Sequence, residues 1–345
     1  MLRKMLALGL IFICLSALCA GALFRPRSSV LPAPAYQGIC ELWQVDLFEG
    51  GKGSRASFLK SAAADFGAQN PGCLVLVRTL TGEEAVQNLA QGHLPDLISA
   101  SAGLLSVFLP YLTPYAGGVS VRDEFAAAGT LNGDLLALPW ATGGYALFCR
   151  EETLTAAGLS AADFAERPLD PALAPADGRL LSAGAAACTD PYAALLTLGQ
   201  RADPGPLLTQ YEAYEAFLRG ESGLLLGTQR DLVRLEARME AGREGNIAFV
   251  PLSGYTDLVT AVGLVRGEGS AAVAAAFAEY LTGEEVQSAL WKIGLFPVNG
   301  GQSASSGWAA QMEAALSRPL TVPGLFSDPA VIDQARREHL AALSA

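Results

Sequence analysis

Strand-like and helix-like segments alternate between residues 39 and 101, and this alternation restricts the possible folds more than any other feature of the chain. Apolar runs of strand length at 39–45, 73–80 and 94–101 are separated by segments with helical periodicity at 54–69 and 82–92. Strands that are separated by helices usually pair in parallel through right-handed crossovers. The sequence therefore predicts an α/β fold with mainly parallel sheets flanked by helices.

The first predicted helix has clear end signals. Ser54 can act as its N-cap, and the helix should end at Asn70-Pro71-Gly72. Its apolar positions lie on one stripe and consist of Phe58, Leu59, Ala62, Ala63 and Phe66. The pattern predicts that this stripe packs against the sheet.

The second half of the chain carries the signals of a second domain. The pair Asn132-Gly133 is typical of a hairpin turn, and Pro139, Gly143 and Gly144 interrupt the apolar run that follows. Further strands are predicted at 223–229, 247–252 and 257–265, two helices are separated by Gly283, and an amphipathic helix is predicted at 328–345. A chain of 345 residues is long enough for two domains.

The N-terminus has the pattern of an export signal. Arg3 and Lys4 precede an apolar run over residues 5–24, and residues 25–37 are rich in Pro, Ala and Ser. We interpret residues 1–24 as a signal peptide or an N-terminal membrane anchor and residues 25–37 as a linker. The sequence leaves open whether the segment is cleaved after Ala22. Either alternative predicts that the remainder works outside the cytoplasm.

Charge and cysteine content exclude several classes of function. The net charge of −11 and the absence of a basic run argue against a nucleic-acid partner. The four cysteines beyond the N-terminal segment contain no C-x-x-C pair, so no metal site is expected. Cys40 and Cys73 begin neighbouring strands, and a disulfide between them is an open alternative. His93 and His339 form no catalytic pattern with other residues, so neither an enzyme nor a cofactor is expected.

The glycine-rich stretch at residues 49–55, EGGKGSR, is not a nucleotide-binding P-loop. In a P-loop the lysine is followed directly by Ser or Thr, whereas Lys52 is followed by Gly53. The stretch leads from a strand into a helix N-terminus, where unpaired N–H groups can hold an anion or an oxygen-rich ligand. Lys52 and Arg55 would strengthen such a site. A solvated rim loop is the alternative interpretation.

Several stretches of the chain together resemble the extracellular solute-binding proteins of ABC importers, of the sugar-binding type. These stretches are ELWQVDLFEGGKGSRASFLKSAAADFGAQNPG, QGHLPDLISAS, LNGDLLALPWATGGYALFCREETLTAAGLS, FLRGESGLLLGTQRDL and YLTGEEVQSALWKIGLFPVN. The resemblance implies a two-lobed periplasmic-binding-protein-like fold of type II, in which hinge strands join the lobes. It implies lobe 1 at 38–141 plus 248–295 and lobe 2 at 142–247 plus 296–345. The crossings would lie at 139–145, 246–251 and 296–299.

The resemblance also implies a ligand site between the lobes. The candidate ligand-binding residues are Trp43, Asp46, Glu49, Ser99, Ser101, Trp140, Thr142, Tyr145, Asp190, Tyr192, Thr228, Gln229 and Tyr255. Structural alternatives remain: Trp43 and Trp140 could be buried, Asp46 could sit in a turn, and Asp190 before Pro191 could be an N-cap. The two serines could instead cap the next helix.

The resemblance implies a receptor that delivers a small polar ligand to an ABC-type importer. A carbohydrate is favoured, and an anionic sugar stays an alternative. A membrane-anchored sensor or accessory binding module that is not coupled to transport is the competing hypothesis. Permease subunits would be the protein partners, the N-terminal segment would supply any membrane contact, and a monomer is expected. The expected location is the extracellular face of the cytoplasmic membrane or the periplasm.

Overall fold

The computed structural model describes residues 38–45, 50–118, 120–168, 170, 181–184, 208–265, 271–303 and 305–326. The predicted signal or anchor, the linker and the C-terminal helix lie outside the described residues. Within the described part, no helix has the length and apolar character needed to cross a membrane.

Thirteen strands are described. They are β1 (Gly38–Val45), β2 (Cys73–Leu80), β3 (Leu97–Ser101), β4 (Leu112–Thr113), β5 (Thr130–Leu131), β6 (Asp134–Leu135), β7 (Ala137–Thr142), β8 (Tyr145–Arg150), β9 (Leu181–Gly184), β10 (Leu208–Thr209), β11 (Leu224–Thr228), β12 (Ile247–Pro251) and β13 (Val259–Val265).

Eleven α-helices are described. They are α1 (Arg55–Gln69), α2 (Gly82–Ala90), α3 (Leu104–Phe108), α4 (Asp123–Ala128), α5 (Glu151–Ala156), α6 (Ala161–Glu166), α7 (Gln210–Leu218), α8 (Gln229–Glu240), α9 (Ala271–Leu281), α10 (Glu284–Ser288) and α11 (Gly307–Leu316). Short 3-10 helices cover Leu109–Tyr111 and Leu290–Ile293.

The strands form two principal sheets. The first has the order β2-β1-β3-β13-β4, with β7 also paired to β13, and the second has the order β10-β9-β11-β8-β12. Parallel pairing is confirmed between β1 and its neighbours β2 and β3. Strand β13 runs antiparallel to β3, and β8 runs antiparallel to β11 and β12, so both sheets are mixed. Strands β8, β12 and β13 lie next to the segments that cross between the sheets. A crossing segment does not require parallel strands, whereas a helical crossover within one sheet favours them.

The local signals of the first half produce the predicted elements. The Ser54 side chain caps α1 by accepting a hydrogen bond from the Ser57 N–H at 3.3 Å. The predicted stripe of α1 faces the interior, with Leu59 and Phe66 buried and Phe58 packed at its edge. Asn132 and Gly133 both have positive φ, 55° and 93°, as the tight hairpin between β5 and β6 requires.

The two sheets are joined where three segments meet. Thr142 and Phe296 exchange two backbone hydrogen bonds of 3.0 and 2.8 Å, and the Gly143 N–H donates to the Leu258 carbonyl at 2.7 Å. Strand β12 pairs with β8 along its full length, so the chain returns to the first sheet only after Pro251. The segments that connect the sheets, near Thr142, Leu258 and Phe296, are therefore joined directly by backbone hydrogen bonds.

Cys40, Cys73 and Cys149 form no disulfide with one another. Cys40 is in register with Val75, which places Cys73 on the neighbouring strand but not directly opposite Cys40. The open alternative of a disulfide between Cys40 and Cys73 is therefore not realised in this structure.

Candidate ligand-binding site between the two sheets

The loop after β1 brings the first sheet into contact with the second. Gly51 lies against the first turn of α8, and a Cβ atom placed on it would be 2.8 Å from the Arg230 Cα. Helix α8 packs on β11 and β8 of the second sheet, whereas α1, which follows the loop, packs on β2 of the first. The backbone of the glycine loop at Gly51 thus closely approaches the backbone of α8 at Arg230.

The connecting segments form a buried hydrogen-bonded hinge. The Gln229 side-chain Oε1 accepts from the Gly144 N–H at 3.0 Å, and the Gln229 backbone N–H donates to the Gly144 carbonyl at 3.1 Å. The Tyr145 hydroxyl donates to Asp257 Oδ1 at 2.5 Å, and Thr142 Oγ1 donates to the Leu258 carbonyl at 3.2 Å. Three predicted ligand contacts, Thr142, Tyr145 and Gln229, are therefore brought together, and in this structure their polar groups bind the hinge.

Trp140 and Ser99 form a second buried pair. The Trp140 indole N–H donates to Ser99 Oγ at 3.1 Å, and both residues are fully buried. The Trp140 ring stacks on Phe58 of α1, with ring centroids 6.2 Å apart and planes 10° apart. Ser101, two residues further along β3, is also buried. In this structure Trp140 is therefore a buried aromatic residue beside the hinge, which is the alternative to a ligand contact given above.

Trp43 lies on the opposite face of the first sheet from Trp140. It packs edge-on against Phe108 with ring centroids 6.2 Å apart, and its indole N–H donates to Glu41 Oε1 at 3.0 Å. The two tryptophans belong to separate hydrophobic clusters. The structure therefore does not bring Trp43 together with the other predicted site residues.

Thr228 ends β11 and begins α8. Its hydroxyl accepts from the Arg230 N–H at 3.3 Å, and its own N–H donates to Asp231 Oδ2 at 2.9 Å, which completes a capping box. Burial raises the pKa of the Asp231 carboxyl, and the Thr228 N–H opposes that shift. Thr228 therefore fixes the direction in which α8 points at the glycine loop.

The remaining predicted residues divide into two groups. Tyr255 is partly exposed and forms a bridge with Thr321 in the segment that returns to the first sheet. Asp46, Glu49, Asp190 and Tyr192 lie outside the described residues.

Sequence reasoning named Lys52 of the glycine loop but missed two residues that interact with it, Trp291 and Glu236. The Lys52 ammonium lies 4.2 Å from the centroid of the Trp291 ring, and that ring stacks on Phe296 at 5.3 Å. Burial raises the pKa of the Glu236 carboxyl, whereas the Trp308 N–H and the charge of Lys52 lower it. An aromatic residue just before the crossing at 296–299 was the signal that could have identified Trp291.

A cavity of about 370 Å³ lies on the flank of the first lobe, between α1 and the segment at 280–293. Ser57, Ser61 and Asp65 line one wall, and Tyr280 and Glu285 line the other. Burial raises the pKa of Tyr280, and the negative charges of Glu285 and Asp65 raise it further. This groove is separate from the hinge.

Within the described residues, no group of three or more His, Cys, Asp or Glu side chains is placed to bind a metal ion. Burial raises the pKa of the Cys40 thiol to about 12, with smaller contributions from Asp96 and Cys73, and burial also raises that of Cys149 to about 12. Both thiols are therefore protonated and unreactive at neutral pH.

Comparison with solved structures identifies the fold. The chain is similar to the sugar-binding protein MalE of Xanthomonas citri, with a TM-score of 0.62 and 16% identity over 89% of this chain and 92% of that one. It is also similar to the cyclic α-maltosyl-1,6-maltose binding protein of Arthrobacter globiformis, with a TM-score of 0.61 and 13% identity over 89% and 94%.

A third similar structure is the galacto-N-biose-/lacto-N-biose I-binding protein of the ABC transporter of Bifidobacterium longum. Its TM-score is 0.58 and its identity 13%, over 90% of this chain and 92% of that one. No protein-family model and no curated protein matches the sequence. The likenesses therefore establish the two-lobed fold of these binding proteins, at identities too low to transfer a ligand.

Proposed function

We propose that the chain is an extracytoplasmic receptor that binds a carbohydrate between its two lobes and delivers it to an ABC-type importer. The observation that carries the proposal is the meeting of two mixed α/β sheets at three connecting segments, with the glycine loop of one facing α8 of the other. In open α/β sheets the carboxyl ends of the strands form the ligand crevice. Several of the structures with the same fold are those of sugar-binding proteins.

The lobes that we propose follow the sheets. The first comprises 38–141 together with the segment from β13 to residue 295, and the second comprises 142–251 together with the segment from residue 296 onward. We place the return crossing at 252–258, because β12 belongs to the second sheet. The hinge bonds of Tyr145 and Gln229 then act as the pivot for lobe movement.

We propose that the ligand contacts lie beside the glycine loop, around Lys52, Trp291 and Glu236. The Trp291 ring is a flat apolar group that the Lys52 ammonium covers in this structure, and the charge of Lys52 also acts on the Glu236 carboxyl. Sugars suit such a site, because their C–H faces pack on an aromatic ring while their hydroxyls bind polar groups. Tyr255 and Ser101 remain proposed contacts at the same crevice. The presence of both charge signs favours a neutral sugar over an anionic one.

The proposed partners follow from this role. The receptor would act as a monomer, exported to the extracellular face of the membrane or the periplasm, and would hand its ligand to permease subunits. No observation on the described residues favours the alternative of a sensor module.

A thermal-shift panel of neutral oligosaccharides, sugar acids, amino acids and polyamines tests the proposal. A ligand that binds only the folded state must raise the melting temperature. We expect a neutral oligosaccharide to do so, and we expect Trp291→Leu to abolish the shift. Phe249→Leu, which changes a partly buried aromatic of the second sheet, serves as the matched control and should keep it. A panel in which no saccharide raises the melting temperature of the wild type would refute the proposal.

A further inference from the structure

We propose that the groove on the flank of the first lobe binds a primary aliphatic amine, whose ammonium group lies between Asp65 and Glu285 and whose hydrocarbon chain packs on the floor of the groove. The groove has a volume of about 370 Å³, which falls within the range of small-molecule sites. Its two walls are α1 and the segment at 280–293, and both belong to the first lobe. The site is therefore distinct from the crevice proposed for the carbohydrate.

The floor of the groove is apolar. Phe58 and Ala62 line it from α1, and Val286 and Ala289 line it from the opposite wall. Ala62 and Val286 are buried, and the Phe58 ring stacks on the fully buried Trp140 ring with centroids 6.2 Å apart, so the core fixes this surface. Methylene groups of a ligand that pack there leave water, which favours binding. The floor therefore selects ligands with a hydrocarbon part.

Negative charge is concentrated at one end of the groove, around Tyr280. Burial raises the pKa of the Tyr280 hydroxyl, and the charges of Glu285 and Asp65 raise it further, whereas a hydrogen bond with Gln69 lowers it. The Tyr280 ring also lies 5.6 Å from the Phe66 ring, close to the last turn of α1. The two carboxylates and the hydroxyl therefore converge on the same end of the groove.

Two helix ends strengthen the negative potential at this end. Helix α1 ends at Gln69 and α9 ends at Leu281, and neither helix has a basic residue in its last turn. The carboxyl end of a helix carries partial negative charge, which favours a nearby cation. Within the part of the chain that the structure describes, neither Asp65 nor Glu285 forms an ion pair. An ammonium group suits this end of the groove.

The basic residue that lines the groove belongs to its other end. A Cβ on Gly53 would lie 3.0 Å from the Lys292 carbonyl oxygen, which places the Lys292 backbone beside the amino end of α1. Ser54 and Asp65 are about 16 Å apart along the axis of α1. The charges are therefore separated along the groove, and its acidic end favours a cation over an anion.

Ligand-observed NMR titrations of the full chain test the site. The probes are hexylamine, 1-hexanol, hexanoate and methylamine, which vary charge and chain length separately. We expect hexylamine to have a dissociation constant about fivefold below that of 1-hexanol, because exposed ion pairs contribute modestly. Hexanoate lacks the attraction and methylamine lacks the chain, so both should bind more weakly than hexylamine. Equal constants for hexylamine and 1-hexanol would overturn the proposal.

The double variant Asp65→Asn/Glu285→Gln removes both charges from the groove. It should raise the dissociation constant of hexylamine about fivefold and leave that of 1-hexanol unchanged. The matched control is Asp134→Asn/Glu83→Gln, which removes the same charge at exposed positions outside the groove. Glu83, like Glu285, is the second residue of its helix. Equal losses in the two double variants would reject the site, because they would show only a general attraction to an acidic protein.

Ser61→Leu fills the groove without changing its charge. Ser61 is an exposed residue in the α1 wall, and leucine is a good helix former. The variant should weaken the binding of hexylamine and of 1-hexanol about fivefold each. Ala64→Leu, at an exposed position of the same helix outside the groove, is its control and should keep the wild-type constants. Unchanged binding of both probes by Ser61→Leu would contradict the proposed place of the chain.

The amine site and the carbohydrate crevice can fail independently. Asp65 and Glu285 are not among the proposed carbohydrate contacts, so Asp65→Asn/Glu285→Gln should keep the rise in melting temperature that an oligosaccharide produces. Loss of hexylamine binding with a retained oligosaccharide response would support a separate amine site. Hexylamine binding in a chain that responds to no saccharide would refute the receptor function and leave the amine site standing.

Discussion

The substitution Ser99→Ala tests whether Trp140 serves the hydrophobic core or a ligand. Ser99 Oγ accepts the indole N–H of Trp140 at 3.1 Å, and both residues are fully buried. Within the described residues, no other acceptor bonds that N–H. The variant would leave a buried donor without an acceptor, which costs about 1–3 kcal/mol of unfolding free energy.

The assay is urea unfolding followed by circular dichroism. A loss of about 2 kcal/mol, with an m-value of about 3 kcal/mol per M, lowers the midpoint by about 0.7 M. Ser101→Ala is the matched control, because Ser101 is on the same strand and the same face, is also buried, and makes no side-chain hydrogen bond to a described residue. Its midpoint should stay within about 0.2 M of the wild type.

A double mutant with Trp140→Phe isolates the pair. Because both partners are then removed, the combined loss should be about 1 kcal/mol smaller than the sum of the single losses. Additive losses, or a Ser99→Ala midpoint equal to that of Ser101→Ala, would refute this account. Weaker sugar binding by Ser99→Ala at unchanged stability would assign the pair to the ligand instead.

Two further predictions concern buried polar groups. Tyr145→Phe should lower the unfolding free energy by about 1.5–3 kcal/mol, because Asp257 loses a buried donor. The control Tyr111→Phe should change it by less than about 0.5 kcal/mol. Equal urea midpoints for the two variants would contradict the expectation. Cys40 and Cys149 should resist thiol reagents at pH 8 until urea unfolds the chain. The pKa of each thiol is about 12 in the folded chain, against 9.0 for a free thiol. Because the folded state holds these protons more tightly than the unfolded state, the two thiols stabilise the fold fully below pH 9.0. This contribution is lost as the pH rises toward 12. Fast labelling of Cys40 or Cys149 in the native chain would disprove their burial.

Local signals predicted the elements of the first lobe well. The Ser54 cap, the stripe of α1 and the Asn132-Gly133 turn each depend on residues within a few positions of one another, and each is found in the structure. The directions of β8, β12 and β13 could not be obtained in this way. A strand has the same side-chain alternation whether its neighbour is parallel or antiparallel, so only the tertiary path decides.

The candidate site was harder to predict for a related reason. The sequence identified polar and aromatic residues at strand ends, but it could not show which of their groups are already bonded within the protein. Gln229 and Gly144 are 85 positions apart and exchange two hydrogen bonds. Trp140 and Ser99 are 41 positions apart. Pairings at such separations are determined by packing, not by local spacing.

The sequence by itself determined that the chain alternates strands and helices, that its glycine loop is not a P-loop, and that its charge does not suit a nucleic acid. These conclusions rest on residue type and short-range periodicity, which the printed chain contains in full. Only the tertiary structure decided that the loop rests on α8, that Trp291 lies under Lys52, and that the polar residues of the hinge bind one another. The physical reason is that hydrogen-bond satisfaction and close backbone approach depend on three-dimensional distances between residues far apart in the chain.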